Sequence, residues 1–185
     1  MARRPRFELD DGIYHVTARG NRKQAIFGDD HDRAEFIALL GQVVASHRWR
    51  CASYCLMRNH FHLLIDGDRE GLSNGMRYLN GVYAQRFNRR HQLTRHLFQD
   101  RFYAGLVESD WHLLELGRYI ALNPVRAGIC AIAAEWPWSS YNALTGAVPA
   151  PPCLSVDWLL SHFGCDRVQA RTRYARFVHE APEPA

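Results

Sequence analysis

The chain has 185 residues, of which 47% are hydrophobic, so its length and composition fit one domain with a buried core. Its formal charge of +4 indicates a mild preference for a polyanionic partner. No apolar run approaches the ~20 residues of a transmembrane helix. The N-terminal stretch MARRPRFELDDG lacks the apolar core of a signal peptide, so we expect a cytoplasmic protein without a membrane partner.

The basic residues are almost all arginine, since Lys23 is the single lysine among 23 lysines and arginines. Arginine suits phosphate recognition because its planar guanidinium group matches two phosphate oxygens. A GC-rich genome would give the same bias without any such role. The five cysteines lack the paired spacing of a zinc site, and we expect reduced, packed thiols.

Hydrophobic periodicity divides the chain into strands and helices in the order β-α-β-β-α-β-α. The predicted elements cover residues 12–19, 30–47, 49–57, 60–66, 71–90, a strand within 97–107, and 110–122. The Asn123-Pro124 pair is expected to end the last helix. The first six elements are those of a split βαβ unit, which predicts the α+β class and a ferredoxin-like antiparallel sheet with its first and third strands central. The last helix is an addition to that unit.

A linker-like break, PAPPC at residues 149–153, follows these elements. We therefore expect a main domain over residues 1–146, followed by a linker and a short helical tail over residues 147–185.

Two histidines lie two residues apart in the predicted third strand, within LMRNHFHLLI at residues 56–65. Side chains alternate along a strand, so His60 and His62 share one face and Phe61 points to the other. A lone histidine is most often a hydrogen-bonded structural residue. Two imidazoles on one face are less easily explained in that way, because together they can bind one metal ion.

The last predicted helix carries a polar stripe beside its apolar face. At about 100° per residue, the stripe contains His112, Glu115, Tyr119 and Asn123. Such a stripe usually faces solvent. Alternatively, this edge faces the two histidines, so that Asn123 offers a carbonyl oxygen to a metal and Tyr119 offers a phenol as a nucleophile.

Five stretches, in this order, resemble the single-tyrosine (Y1) transposases of the insertion-sequence-200 type, and among them the REP-associated tyrosine transposases. They are YHVTARGN (14–21), MRNHFHLL (57–64), the Arg-Phe pair at 101–102, RYIALNPVRAG (118–128) and WPWSSY (136–141). HFH resembles the family's His-hydrophobic-His (HUH) motif, and RYIALNPVRAG resembles its tyrosine-helix signature. Arg58 replaces a common proline and Tyr103 an expected basic residue, and neither change removes a catalytic group.

The resemblance implies a metal-dependent endonuclease and strand transferase for single-stranded DNA. It would act at hairpin, REP-like sequences in the nucleoid through a 5′-phosphotyrosine intermediate. Tyr119 would be the nucleophile, and His60, His62 and Asn123 would bind Mg²⁺ or Mn²⁺. DNA contacts are expected from Arg19, Asn21, Arg22, Arg89, Arg90, Arg101, Arg118 and Arg126. Relatives include dimers and monomers, so a homodimer and a monomer both stay open.

Two other functions stay open from the sequence. A non-cleaving, domesticated relative would bind hairpin DNA or RNA on its sheet without cutting it. A metallohydrolase would use water as the nucleophile, so Tyr119 would be structural and no protein–DNA adduct would form.

Overall fold

A four-stranded antiparallel sheet forms the centre of the structure, a computed structural model that describes residues 11–180. Its strands are β1 (Gly12–Arg19), β2 (Arg50–Leu56), β3 (His60–Gly67) and β4 (Tyr103–Leu106). They lie in the order β2-β3-β1-β4, so β1 and β3 are central. The predicted ferredoxin-like α+β fold is therefore confirmed.

The long helices α1 (Asp30–Ser46), α2 (Arg69–Arg90) and α3 (Asp110–Arg126) lie on the two faces of this sheet. On the face that α1 and α2 cover, Phe36 packs on Phe61 with ring centroids 4.9 Å apart. The opposite face carries His62, whose ring lies 5.6 Å from that of Tyr119 on α3. Alternation along β3 thus separates an aromatic core from a polar cluster.

Helix α3 extends past the end that the sequence predicted, because Asn123 and Pro124 lie inside it. The N–H group of Ala127 donates to the carbonyl oxygen of Asn123, and Gly128 then adopts a φ of 68°. Both Asn123 and Pro124 are buried, so packing outweighs the extended backbone that proline favours in the preceding residue. The predicted end at residue 122 is wrong, and Asn123 stays on the helix one turn after Tyr119.

Two later segments cover the outer edge of β2. The N–H group of Leu56 donates to the carbonyl oxygen of Trp138 at 2.8 Å, and that of Ser155 donates to the carbonyl oxygen of Cys51 at 2.8 Å. An uncovered strand edge can pair with other chains. The WPWSSY motif therefore stabilises the sheet in this structure.

The C-terminal segment forms α4 (Tyr141–Thr145), α5 (Val156–Leu160) and α6 (Arg167–His179). Tyr174 and Val178 on α6 are buried in the same hydrophobic cluster as the sheet. The boundary between residues 146 and 147 stays a prediction, and the outer ends of both predicted domains, residues 1–10 and 181–185, lie outside the described residues. Among the helices of the described part, none is both long and apolar enough to cross a membrane.

Candidate active site

Histidines from two strands meet on the sheet face that α3 covers. Thr17 of β1 lies opposite His62 of β3, so His15, two residues before Thr17, projects toward the same face. His15 Nε2 lies 2.9 Å from His62 Nδ1, and the two rings stack with centroids 5.1 Å apart. The ring of His60 is 5.0 Å from that of His62. The central strands thus place three imidazoles in one cluster.

Helix α3 adds Tyr119 and Asn123 to this cluster. The ring of Tyr119 lies edge-on to His62 at 5.6 Å and to His15 at 6.2 Å between centroids. Asn123 is 8% exposed, and its side chain acts to raise the pKa of His60, which places it beside that imidazole. The part of the polar stripe that carries Tyr119 and Asn123 therefore faces the histidines rather than solvent.

A cavity of about 260 Å³ opens beside the cluster and is lined by Arg19, His60, His62 and Tyr119, among others. Pockets for drug-sized molecules usually measure about 300–1,000 Å³, so this one is smaller than most of them but has room for a phosphate group. The guanidinium carbon of Arg126 lies 5.1 Å from the centroid of the Tyr119 ring, in cation–π contact. Positive charge thus lies beside the phenol.

Burial keeps the clustered histidines neutral. It lowers the pKa of His62 from 6.5 to about 3, with smaller contributions from His15 and His60. It lowers the pKa of His15 from 6.5 to about 4, with a contribution from His112. The pKa of His60 is also lowered, first by burial and then by the charge of Arg19. Because a neutral imidazole keeps a nitrogen lone pair, these residues are in the form that binds metals.

The hydrogen bonds of the two β3 histidines fit a metal site. His60 Nδ1 lies 2.8 Å from Asn59 Oδ1, an acceptor, so His60 carries its proton on Nδ1 and its lone pair on Nε2. His62 Nδ1 is engaged with His15, whereas His62 Nε2 is buried without a hydrogen-bond partner. An unpaired buried polar atom costs about 1–3 kcal/mol. A bound cation would give that atom a partner.

The candidate metal ligands are two histidine imidazoles and one asparagine amide. Within residues 11–180, no group of three His, Cys, Asp or Glu side chains is arranged to hold a metal ion. The amide oxygen of Asn123, which lies on the helix that faces these histidines, is the candidate third protein ligand beside His60 and His62. Such a small protein ligand set leaves coordination positions for water and a phosphate oxygen.

The basic residues predicted to contact DNA lie in different environments. Arg19 lines the cavity beside the histidines. Asn21 and Arg101 line a second cavity of about 610 Å³ beyond the C-terminal end of β1. Arg22 and Arg89 are exposed. These positions are compatible with contacts to phosphates.

Two of the predicted DNA-binding arginines form ion pairs with carboxylates of the same chain. Arg90 pairs with the buried carboxylate of Asp32 at 2.6 Å, which joins α2 to α1. Arg118 is 4% exposed and donates to the carboxylate of Glu115 at 2.6 Å and to the carbonyl oxygen of Glu180 at 3.1 Å. We therefore assign both arginines to structural roles and leave them out of the proposed DNA surface.

The structural role of Arg118 predicts a loss of stability in Arg118→Met. The change leaves Glu115 and a backbone carbonyl without their donor, so we expect the free energy of unfolding to fall by about 2 kcal/mol, less than for a fully buried pair because Glu115 is partly exposed. Urea denaturation measures this fall. Arg167→Met, which removes an exposed ion pair with Asp157, should change the free energy of unfolding by less than about 0.5 kcal/mol. A stable Arg118→Met protein that binds DNA weakly would contradict the assignment.

His15 is the member of the cluster to which the sequence assigned no role. The alternation in GIYHVTAR places His15 and Thr17 on one face of β1. The register that puts them beside His62 depends on the pairing of β1 with β3. The sequence could therefore have pointed to His15 only through the prediction that both strands are central and antiparallel.

A family model described as "Transposase IS200 like" matches residues 9–123, more than half of the chain. The chain belongs to the IS200-like transposase family. The match spans β1 and ends at Asn123, so it includes His60, His62 and Tyr119. Family membership supports a DNA-processing enzyme.

Two relatives have REP-associated names. A curated protein of Haemophilus influenzae, named as a REP-associated tyrosine transposase, is 26% identical over 119 residues, which cover 58% of this chain and 68% of that protein. A solved structure of a REP-associated tyrosine transposase bound to a REP hairpin has a TM-score of 0.65 and 18% identity, and it covers 84% of this chain and 92% of its own. At that identity the likeness shows a shared fold, and the resemblance predicted from the motifs is confirmed.

Proposed function

We propose that the chain is a metal-dependent endonuclease and strand transferase that cuts and rejoins single-stranded DNA at REP-like hairpins. The observation that carries the proposal is the cavity that Tyr119 lines together with His60 and His62. A nucleophile and two neutral imidazoles beside one cavity with room for a phosphate group suit attack on a phosphodiester. The similar structure that is bound to a REP hairpin supports hairpin DNA as the substrate.

The phenol oxygen of Tyr119 is the nucleophile in this proposal. Its attack on phosphorus forms a bond between tyrosine oxygen and phosphorus and breaks the bond to the 3′ oxygen. The phenol loses its proton, the departing oxygen gains one, and the products are a 5′-phosphotyrosine and a free 3′-OH. Arg126 over the ring favours the negative charge that develops on the phenol. Attack by a 3′-OH on the phosphotyrosine reverses these changes and joins strands without a nucleotide cofactor.

His60, His62 and Asn123 are the residues that would hold a divalent cation. Imidazole ligands suit Mn²⁺ better than Mg²⁺. When bound, the cation supplies positive charge that neutralises the phosphate and stabilises the departing 3′ oxygen. Burial keeps both imidazoles neutral, and the hydrogen bond from His60 to Asn59 keeps the Nε2 lone pair of His60 free for ligation.

Single-stranded DNA runs, in this proposal, between the two cavities. The N–H group of Gln99 donates to the carbonyl oxygen of Arg19 at 2.9 Å, so a segment lining the larger cavity is joined to the strand end that lines the smaller one. The larger cavity combines Arg101 with the amide of Asn21 and the ring of Phe98. Guanidinium groups suit phosphates, and aromatic rings suit base stacking.

We expect Arg101→Ala to weaken binding of single-stranded DNA and to reduce its salt dependence. Loss of one phosphate contact should reduce the slope of log K against log salt concentration by about 0.7. Fluorescence anisotropy with a labelled hairpin at several salt concentrations measures the slope. Arg167→Ala, an exposed arginine of α6, is the control and should keep the wild-type slope. An unchanged slope in Arg101→Ala would remove that residue from the DNA path.

The proposal is tested by incubating the protein with labelled single-stranded hairpin DNA from the flanks of its own gene. A protein–DNA band on a denaturing gel, formed with Mn²⁺ and absent with EDTA, is the expected result. Shortened DNA without an adduct would favour water as the nucleophile. A native-gel shift without either product would favour a non-cleaving binder.

A further inference from the structure

We propose that His15 is a positioning residue for His62. His15 Nε2 accepts a hydrogen bond from the Nδ1–H group of His62. This contact keeps the lone pair of His62 on Nε2, the nitrogen that would bind the metal. The inference rests on the proposed function, in which His62 is a metal ligand.

The contact is built into the sheet. His15 pairs with Leu64 across the β1–β3 ladder and Thr17 pairs with His62, so the two histidines are diagonal neighbours on one face. Their nitrogens are 2.9 Å apart, and their rings are nearly parallel with an interplanar angle of 20°. Both strands are central in the sheet. The backbone therefore fixes the separation of the two imidazoles.

The hydrogen bond permits two placements of its proton, and burial distinguishes them. If His15 donated from Nε2, neutral His62 would carry its proton on Nε2, an atom that is buried without a partner. Orphaned buried N–H groups are rarer in proteins than under-satisfied acceptors. If His62 donates from Nδ1, its Nε2 presents a lone pair instead. Only this second placement is compatible with a cation at Nε2.

The choice of a neutral imidazole as acceptor also suits a polyanionic substrate. A metal-bound histidine usually donates its other N–H group to a carboxylate, a backbone carbonyl or water. A carboxylate at the position of His15 would add negative charge close to the cavity and repel a phosphodiester. A neutral imidazole at this position accepts the hydrogen bond without adding negative charge.

The test compares two substitutions that differ in one property. His15→Phe keeps a flat ring for stacking but has no acceptor. His15→Gln places an acceptor oxygen near the former Nε2 position. The readouts are the His62 tautomer in metal-free protein, from ¹⁵N-detected imidazole NMR spectra, and the Kd for Mn²⁺, from electron paramagnetic resonance. His62→Leu identifies the His62 signals among those of the 10 histidines.

We expect His62 of the wild-type protein to be protonated on Nδ1, and His15→Phe to give a mixture of tautomers. The Kd for Mn²⁺ should rise about 10–100-fold in His15→Phe, the usual effect of removing such a partner, and return to within about threefold of wild type in His15→Gln. Protonation of wild-type His62 on Nε2, or equal Kd values for wild type and His15→Phe, would overturn the proposal. A Kd that stays unchanged in His62→Leu would instead overturn the metal site, and the tautomer readout would still decide the role of His15.

Discussion

Tyr119→Phe is expected to abolish covalent attachment to DNA while the affinity for hairpin DNA stays within about twofold of wild type. The substitution removes only the phenol oxygen and keeps the ring beside His62 and under Arg126. Loss of a nucleophile typically lowers the rate by more than about 10³-fold, so the adduct should disappear from a denaturing gel. Retained affinity in a native-gel shift would show that the variant is folded and binds.

Tyr103→Phe is the matched control for this experiment. Tyr103 lies opposite Thr17 in the β1–β4 ladder, on the same face of the sheet as the histidines, and it is 51% exposed. Tyr103 thus offers an accessible phenol on the same face of the sheet, and the proposed mechanism gives this phenol no role. Wild-type adduct formation in Tyr103→Phe, with none in Tyr119→Phe, would support the assignment. The reverse pattern would move the nucleophile to β4.

The order of elements could be predicted from the sequence because each element has its own local pattern. Alternation in GIYHVTAR and HFHLLID gave the central strands, and the polar stripe on the last helix gave Tyr119 and Asn123. These patterns are local, so they fix which face a side chain takes within its own element. They do not fix which faces of different elements meet.

The contacts that the sequence did not predict all depend on tertiary packing. Arg118 belongs to the tyrosine-helix signature and reads as a DNA contact, yet α6 covers it and its guanidinium group donates to the carbonyl oxygens of Phe177 and Glu180. Pro124 reads as the end of a helix, yet packing keeps the helix intact through it. His15 is an ordinary strand residue until the register with β3 places it on His62.

The segment after PAPPC shows the same limit. A cluster of prolines reads as a linker because proline lacks an N–H group and favours extended backbone. Here the chain just after the prolines pairs with β2 at Cys51, and Tyr174 on α6 is buried. A break in secondary structure along the sequence therefore does not separate the tail from the core.

His62→Leu is expected to abolish cleavage and to leave the metal-free protein about as stable as wild type. Leucine removes the Nε2 lone pair, so the affinity for Mn²⁺ and the rate of adduct formation should both fall by at least about 100-fold, more than for loss of a supporting partner. It also removes a buried nitrogen without a partner. That relief offsets the lost hydrogen bond to His15, so the free energy of unfolding should change by less than about 1 kcal/mol.

His60→Ala removes a candidate metal ligand but, unlike His62→Leu, it does not remove a buried nitrogen that lacks a hydrogen-bond partner. His60 is less buried than His62, and its Nδ1 donates a hydrogen bond to Asn59 Oδ1. This variant should therefore lose Mn²⁺ affinity and cleavage as His62→Leu does, but without any offsetting gain in stability. Urea denaturation with EDTA present compares the stabilities of the two variants, and isothermal calorimetry measures their Mn²⁺ affinity.

Full cleavage by either variant, or by the wild-type protein in EDTA, would show that the histidine pair holds no catalytic metal. A large loss of stability in His62→Leu would instead mean that His62 is a structural residue, satisfied within the folded core.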